Sequence, residues 1–185
     1  MTTKPIVVGT DGSPQATQAV EWAAREAHLR GAGLRIVSAI EAPPRMTMPP
    51  QSVDIETVAN ALRHNRDWAL SSGAKAAATT APDVLIDTDP LGGPPAIALT
   101  DAGAGALMLV TGSRGSGAFA AMVLGSVSRY AATHARCPVV VVREESMAAH
   151  RQVVVGVHDP ENCDAALGFS TTTPGDNGDT LESTP

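Results

Sequence analysis

Gly112, Gly115, Gly125 and Ser126 stand in the spacing GxxGx9G[ST] within TGSRGSGAFAAMVLGS, residues 111–126. That spacing suits an anion. Glycines let a backbone turn with positive φ and pass close to a ligand, and the free amides of a helix starting at the far end meet negative charge in a favourable dipole. Phosphate is the natural occupant. Ser126 has a hydroxyl to donate to a phosphate oxygen, Ser128 offers a second just beyond it, and Arg114 adds positive charge from within the loop. Asp11, beside Thr10 in GTDGS, is the other place where chemistry can sit. Its carboxylate suits a ribose hydroxyl or a magnesium ion, although an Asp-Gly pair is equally a turn.

Several other chemistries are excluded by what the chain lacks. There is no GxxxxGK[ST], and the only lysines are Lys4 and Lys75, so no lysine sits in a phosphate loop. This argues against a P-loop hydrolase. The first turn has Gly9 and Gly12 but no GxGxxG, which argues against a dinucleotide dehydrogenase. Neither SGGxDS nor HxGH follows the first strand, so likeness to adenylating synthetases or nucleotidyl transferases ends at architecture. His28, His64, His134 and His150 have no metal or triad partner by spacing, and Trp22 and Trp68 read as packing residues on amphipathic helices. Cys137 and Cys163 lack zinc-site spacing, and Cys137 reads as a small core filler.

The elements that must position these groups are legible from periodicity. Ile6 to Gly9 reads as a buried strand, and Ser13-Pro14 is an N-cap with proline at the first helical position. Ala16, Ala19, Val20, Ala23, Ala24 and Ala27 follow at helical spacing until Gly31 and Gly33 stop the helix. Leu34 to Ile40 is a second strand, and Pro43 to Pro50 a loop. Ile55, Val58, Ala59, Leu62, Ala69 and Leu70 mark the apolar face of a second helix. Asp83 to Ile86 then reads as strand three, Ala96 to Ala102 as a helix, Ala106 to Val110 as strand four, Val127 to Ala135 as a helix and Val139 to Val142 as strand five. Alternation with right-handed crossovers predicts an α/β fold, a doubly wound, Rossmann-like five-stranded parallel sheet of order 3-2-1-4-5 with helices on both faces. Ligands in such sheets bind beyond the carboxyl ends of the strands, where the glycine loop and the Thr10-Asp11 turn both fall.

Composition agrees with one such domain. The 185 residues are 43% hydrophobic but only 3% aromatic, as close packing of helices on a sheet allows. Net charge is −6 and the cations are scattered, so no nucleic-acid partner is expected. No apolar run is long enough for a signal core or a membrane span, which predicts a cytoplasmic protein without membrane association. The expected division is a nucleotide-binding domain over 1–145, the start of a second repeat over 146–170 and a disordered tail over 171–185. The repeat rests on Arg151 to Phe169, which parallels Lys4 to Trp22 but has His158 in the place of Asp11 and no glycine loop after it.

Three stretches carry a specific resemblance: VVGTDGS with Asp11, IVSAIE, and TGSRGSGAFAAMVLGSVSRYAATHARCPVVVV. Over about residues 4 to 143 the chain resembles the universal stress protein family. The resemblance implies that Gly112, Gly115, Gly125, Ser126 and Val127 line the triphosphate and ribose of ATP, that Asp11 is the acidic nucleotide ligand, with magnesium, and that the backbone of Ala39 contacts adenine. It also implies a homodimer through Val139, Val140, Val141 and Val142. Departures from the family pattern are Pro43, Pro44, Pro49 and Pro50 after strand two, and Leu91-Gly92-Gly93-Pro94-Pro95 after strand three, which would reshape the adenine-side wall. Three functional classes follow: an ATP-binding regulator, a slow ATPase or phosphotransfer enzyme, and a nucleotide-free interaction module. With no loop lysine and no evident base apart from Asp11, the first is favoured.

Overall fold

A computed structural model describes residues 4–41, 55–115 and 124–143. Within them nine elements follow in chain order: β1 (Ile6–Gly9), α1 (Pro14–Arg30), β2 (Leu34–Ile40), α2 (Ile55–Thr80), β3 (Ile86–Gly92), α3 (Pro95–Ala102), β4 (Met108–Gly112), α4 (Ser126–His134) and β5 (Val139–Val142). The five strands form one parallel sheet in the order β3-β2-β1-β4-β5, as the alternation predicts. α1 and α2 pack together on one face, and α3 and α4 on the other.

Local chemistry accounts for the first crossover. Ser13 holds an extended conformation and its Oγ accepts from the Ala16 amide at 3.3 Å, capping α1, while Pro14 occupies the first helical position. Gly31 ends the helix at φ 59°, a left-handed conformation that a side chain would strain. The inner face of α1 is Ala16, Ala19, Val20, Ala23, Ala24 and Ala27, all buried. Such small side chains let the helix lie close to the sheet, which decides what β4 can carry at its end. A Cβ on Gly112 would stand 2.9 Å from the carbonyl oxygen of Gln15, so β4 and α1 meet backbone to backbone.

The central strands alternate between two cores. Val7, Val37 and Leu109 join Leu99, Ala106 and Ala131 on the α3 and α4 side, while Ile6, Val8, Ile36, Met108 and Val110 are as fully buried on the other. Each such side chain contributes about 1.5–3 kcal/mol relative to exposure.

Two strands differ from the sequence expectation. Strand three is expected at Asp83 to Ile86 but runs Ile86–Gly92, because β2 pairs along its whole length from Leu34↔Ile86 to Ile40↔Gly92. Asp87, Asp89 and Pro90 read as a loop, yet this is an edge strand with one side open, where acidic residues and a proline are tolerated. Arg35 of β2 pairs with Asp89 across it. Strand four lies two residues later than expected, so Gly112 is its last residue rather than part of the loop. The four prolines of 43–50, the repeat over 146–170 and the tail over 171–185 lie outside the described residues.

Candidate functional site

A cavity of about 470 Å³ opens at the carboxyl ends of β1, β2 and β4. Its polar end is built from two turns. After β1 the chain folds on itself: Thr10 Oγ1 accepts from the Gly12 amide at 3.2 Å and Asp11 Oδ1 accepts from the Ser13 amide at 3.0 Å. Gly12 takes φ 78°, and its missing Cβ leaves room for the ring of Trp68 on α2. Trp68 thus packs, as expected, but 56% of it stays exposed.

After β4 the glycine loop is closed at its stem. The Gly125 amide donates to Ser113 O at 2.8 Å and the Ser113 amide to Val142 O at 2.8 Å. Both ends of the loop are therefore tied to the sheet. α4 starts at Ser126 with Gly125 as its N-cap, without a side-chain cap and without an acidic residue in its first turn. Its first amides meet the cavity with the positive end of the helix dipole.

The motif glycines serve close approach rather than unusual torsion. Positive φ occurs at Gly12, Gly31, Gly93 and Gly105, and at none of Gly112, Gly115 and Gly125. A Cβ at Gly115 would instead meet Asp11 Oδ2 at 2.6 Å, so the loop lies directly on the carboxylate of the first turn. At Gly125 the nearest atoms among the described residues would be 3.5 Å and 3.6 Å away, an ordinary contact that forces nothing to move.

All ten residues expected from the sequence line this one cavity: Thr10, Asp11, Ala39, Gly112, Arg114, Gly115, Gly125, Ser126, Val127 and Ser128. Two of them are engaged otherwise than expected. The Ser128 hydroxyl is buried and donates to Gly112 O at 2.7 Å, tying α4 to β4, so its proton is not available to a phosphate. The Thr10 hydroxyl braces its own turn.

Eight further residues complete the wall. Gly9, Val37, Leu91, Pro95 and Leu99 make an apolar end opposite the polar one, Ala16 lies against Gly112, and Thr111 and Arg129 flank the glycine loop. Leu91 and Pro95 belong to the segment expected to reshape this side, and they do form it. Simple periodicity could have found several of them. Val37 shares a strand face with Ala39, Leu99 follows Pro95 by one helical turn, and Arg129 follows Ser126 by three residues. Thr111 is 3% exposed and its Oγ1 has no hydrogen-bond partner among the described residues.

Among the described residues no group of three or more His, Cys, Asp or Glu side chains converges on a metal position. One carboxylate among the described residues, Asp11, lines the cavity. This fits magnesium only when a ligand's phosphates supply most of the coordination. Cys137 lies at the edge of the α3 and α4 core, where burial pushes its thiol pKa up and a backbone hydrogen bond at Leu109 partly offsets this.

The sheet order and a glycine-walled crevice at its carboxyl edge define a doubly wound α/β protein of the Rossmann-like type. Residues 2–143 match the model of the universal stress protein family, and the chain belongs to that family. It is 36% identical over 169 residues to universal stress protein MT2052 of Mycobacterium tuberculosis (strain CDC 1551 / Oshkosh), a match over 82% of this chain and 53% of the relative. Universal stress protein MT2699 of the same strain is 34% identical over 172 residues, covering 91% of this chain and 60% of the relative. The chain thus spans little more than half the length of these relatives. Among solved structures, a universal stress protein in complex with cAMP aligns with TM-score 0.57 and 26% identity over 77% of this chain and 98% of its own. The universal stress protein from Archaeoglobus fulgidus in complex with dAMP gives 0.52 and 25%, covering 76% and 98%.

Proposed function

We propose that this chain binds ATP with magnesium in the crevice between Asp11 and the glycine loop, and acts as a nucleotide-dependent regulator in the stress response. The observation that carries the reading is the meeting of Gly115 with the Asp11 carboxylate at the mouth of a cavity apolar at one end and cationic at the other. The apolar end, with Val37, Ala39, Leu91 and Leu99, suits a purine, and the open N-terminus of α4 with Ser126 and Arg114 suits phosphates. The universal stress proteins at 25% and 26% identity have structures in complex with dAMP and cAMP, which supports an adenine nucleotide. Asp11 would hold the ribose or, with the phosphates, the magnesium.

A regulator is favoured over an enzyme because phosphoryl transfer also needs a water-orienting group, the loop sequence supplies no lysine, and no general base apart from Asp11 is evident. We place the protein in the cytoplasm as a homodimer joined through Val139, Val140, Val141 and Val142 of the edge strand, with no membrane or nucleic-acid partner. No described helix is long and apolar enough to cross a membrane. Calorimetric titration with ATP and magnesium tests the central claim, together with a turnover assay. Absence of binding by the full chain overturns the nucleotide reading, and turnover in the range of about 1 to 1,000 per second overturns the regulator.

A further inference from the structure

Arg129 is a charged cavity residue that neither the glycine spacing nor the first βα turn brings in. It sits on α4 one turn past Ser126 and is exposed. Side chains on a helix lean toward its N-terminus, so this guanidinium covers the turn formed by Gly125 and Ser126. The Arg114 backbone lies on the other side of the loop stem, since a Cβ on Gly125 would stand 3.6 Å from Arg114 Cα. Arg114 and Arg129 thus both line the cavity beside one helix N-terminus, in a chain whose net charge is −6. Among the described residues Arg129 takes part in no ion pair, so its charge is not spent on a neighbouring carboxylate.

We propose that Arg129 makes this site select nucleotides by the length of their phosphate chain, favouring triphosphates over monophosphates and cyclic monophosphates. The inference rests on the nucleotide reading above. Any adenine nucleotide can place its first phosphate against the Gly112 and Gly115 walls beside Asp11, short of the α4 N-terminus. Only an extended chain adds charge at the rim, where a planar guanidinium offers paired donors to phosphate oxygens. Selectivity is then a difference between two affinities, and Arg129 contributes to one of them alone.

The test is calorimetric titration of the full chain with ATP, ADP, AMP and cAMP, in the unaltered protein and in Arg129→Gln, Arg129→Lys and the charge-matched control Arg136→Gln. Arg136 is exposed beyond the far end of α4 and lies outside the cavity wall. Arg129→Gln is expected to lower the ratio of ATP to AMP affinity by about tenfold, with AMP and cAMP binding unchanged and the same melting temperature. Arg129→Lys recovers part of the ratio, and Arg136→Gln leaves it alone. If ATP and AMP weaken in equal proportion, or neither weakens, Arg129 does not read chain length and the proposal falls while the nucleotide reading stands. If the unaltered chain binds none of the four, the nucleotide reading falls first.

Discussion

Asp11 and Gly115 share one space: a Cβ on Gly115 would stand 2.6 Å from Oδ2 of Asp11, and the next neighbour, Asp11 Cγ, is 3.5 Å away. The obstacle is the far end of a side chain rather than backbone. A methyl group at 115 can therefore be accommodated, but only by swinging the carboxylate off its position against the loop. Gly115→Ala is expected to weaken ATP binding by about tenfold, as a displaced charge-assisted ligand does. It should lower stability by no more than about 1 kcal/mol, the worth of the Asp11 Oδ1 bond from the Ser13 amide. A double-mutant cycle with Asp11→Ala checks this. Coupling of at least about 0.5 kcal/mol between the two sites is expected, and strict additivity would show that the carboxylate is not what Gly115 protects.

The other two motif glycines separate fold from ligand. A Cβ on Gly112 would meet Gln15 O at 2.9 Å and Ala16 N at 3.2 Å, both backbone, so α1 would have to move. Gly112→Ala is expected to cost about 1–3 kcal/mol by chemical denaturation, whatever the ligand. At Gly125 the same methyl group meets nothing closer than 3.5 Å among the described residues. Gly125→Ala should leave the free protein's stability within about 0.5 kcal/mol and reduce nucleotide affinity alone. An equal loss of stability in both variants would contradict this division.

That contrast also shows where sequence reasoning reached and where it stopped. The spacing of Gly112, Gly115 and Gly125 marks the loop, and the alternation of strands and helices puts it beside Asp11, because both follow from local periodicity and the handedness of crossovers. The reason each glycine is needed depends on what α1 and the first turn bring against it, which no local pattern contains. Strand three shows the same limit. Asp87, Asp89 and Pro90 have poor strand propensity, and only pairing with β2 at an open edge makes them a strand. Ser128 reads as a phosphate donor beside Ser126, but its helical position turns its hydroxyl back onto Gly112.

Two buried hydroxyls near the loop should respond oppositely to removal. Ser128 Oγ donates to Gly112 O at 2.7 Å, whereas Thr111 Oγ1 has no hydrogen-bond partner among the described residues. Ser128→Ala strands a buried carbonyl and is expected to destabilise by about 1–3 kcal/mol. Thr111→Val removes an unsatisfied group while keeping its shape, and is expected to stabilise by about 1 kcal/mol. Urea denaturation of the two variants checks the signs, and a loss of stability in Thr111→Val would show that its hydroxyl has a use in the free protein.

Cys137 predicts a pH dependence of definite sign. Burial raises its thiol pKa in the folded protein, the hydrogen bond at Leu109 offsetting part of the effect. Below the unfolded thiol's pKa, about 8.5, both states hold the proton and stability is at its full value. As pH rises through that value the unfolded chain ionises first, so the folded state loses stability until its own thiol ionises. Stability should therefore fall above about pH 8.5, and Cys137→Ala should remove that part of the slope. Denaturation midpoints of both proteins between about pH 7 and 10 measure it, and superimposable pH profiles would exclude Cys137 as the cause.

The edge strand offers a test of assembly that spares the monomer. Ser113 N donates to Val142 O and Leu109 N donates to Pro138 O, so the even-numbered residues of this stretch turn their backbone groups toward β4. In a strand the odd-numbered ones must then face away from the sheet, which leaves the amides of Val139 and Val141 on the open edge. Proline at 141 deletes an outward donor and leaves the ladder with β4 whole, whereas proline at 142 breaks that ladder. If two subunits pair along this edge, Val141→Pro should halve the mass measured by light scattering while keeping the far-ultraviolet circular dichroism and nucleotide binding. Val142→Pro should lose stability by about 3 kcal/mol whether or not the chain is a dimer. A Val141→Pro protein that remains dimeric would move the interface away from β5.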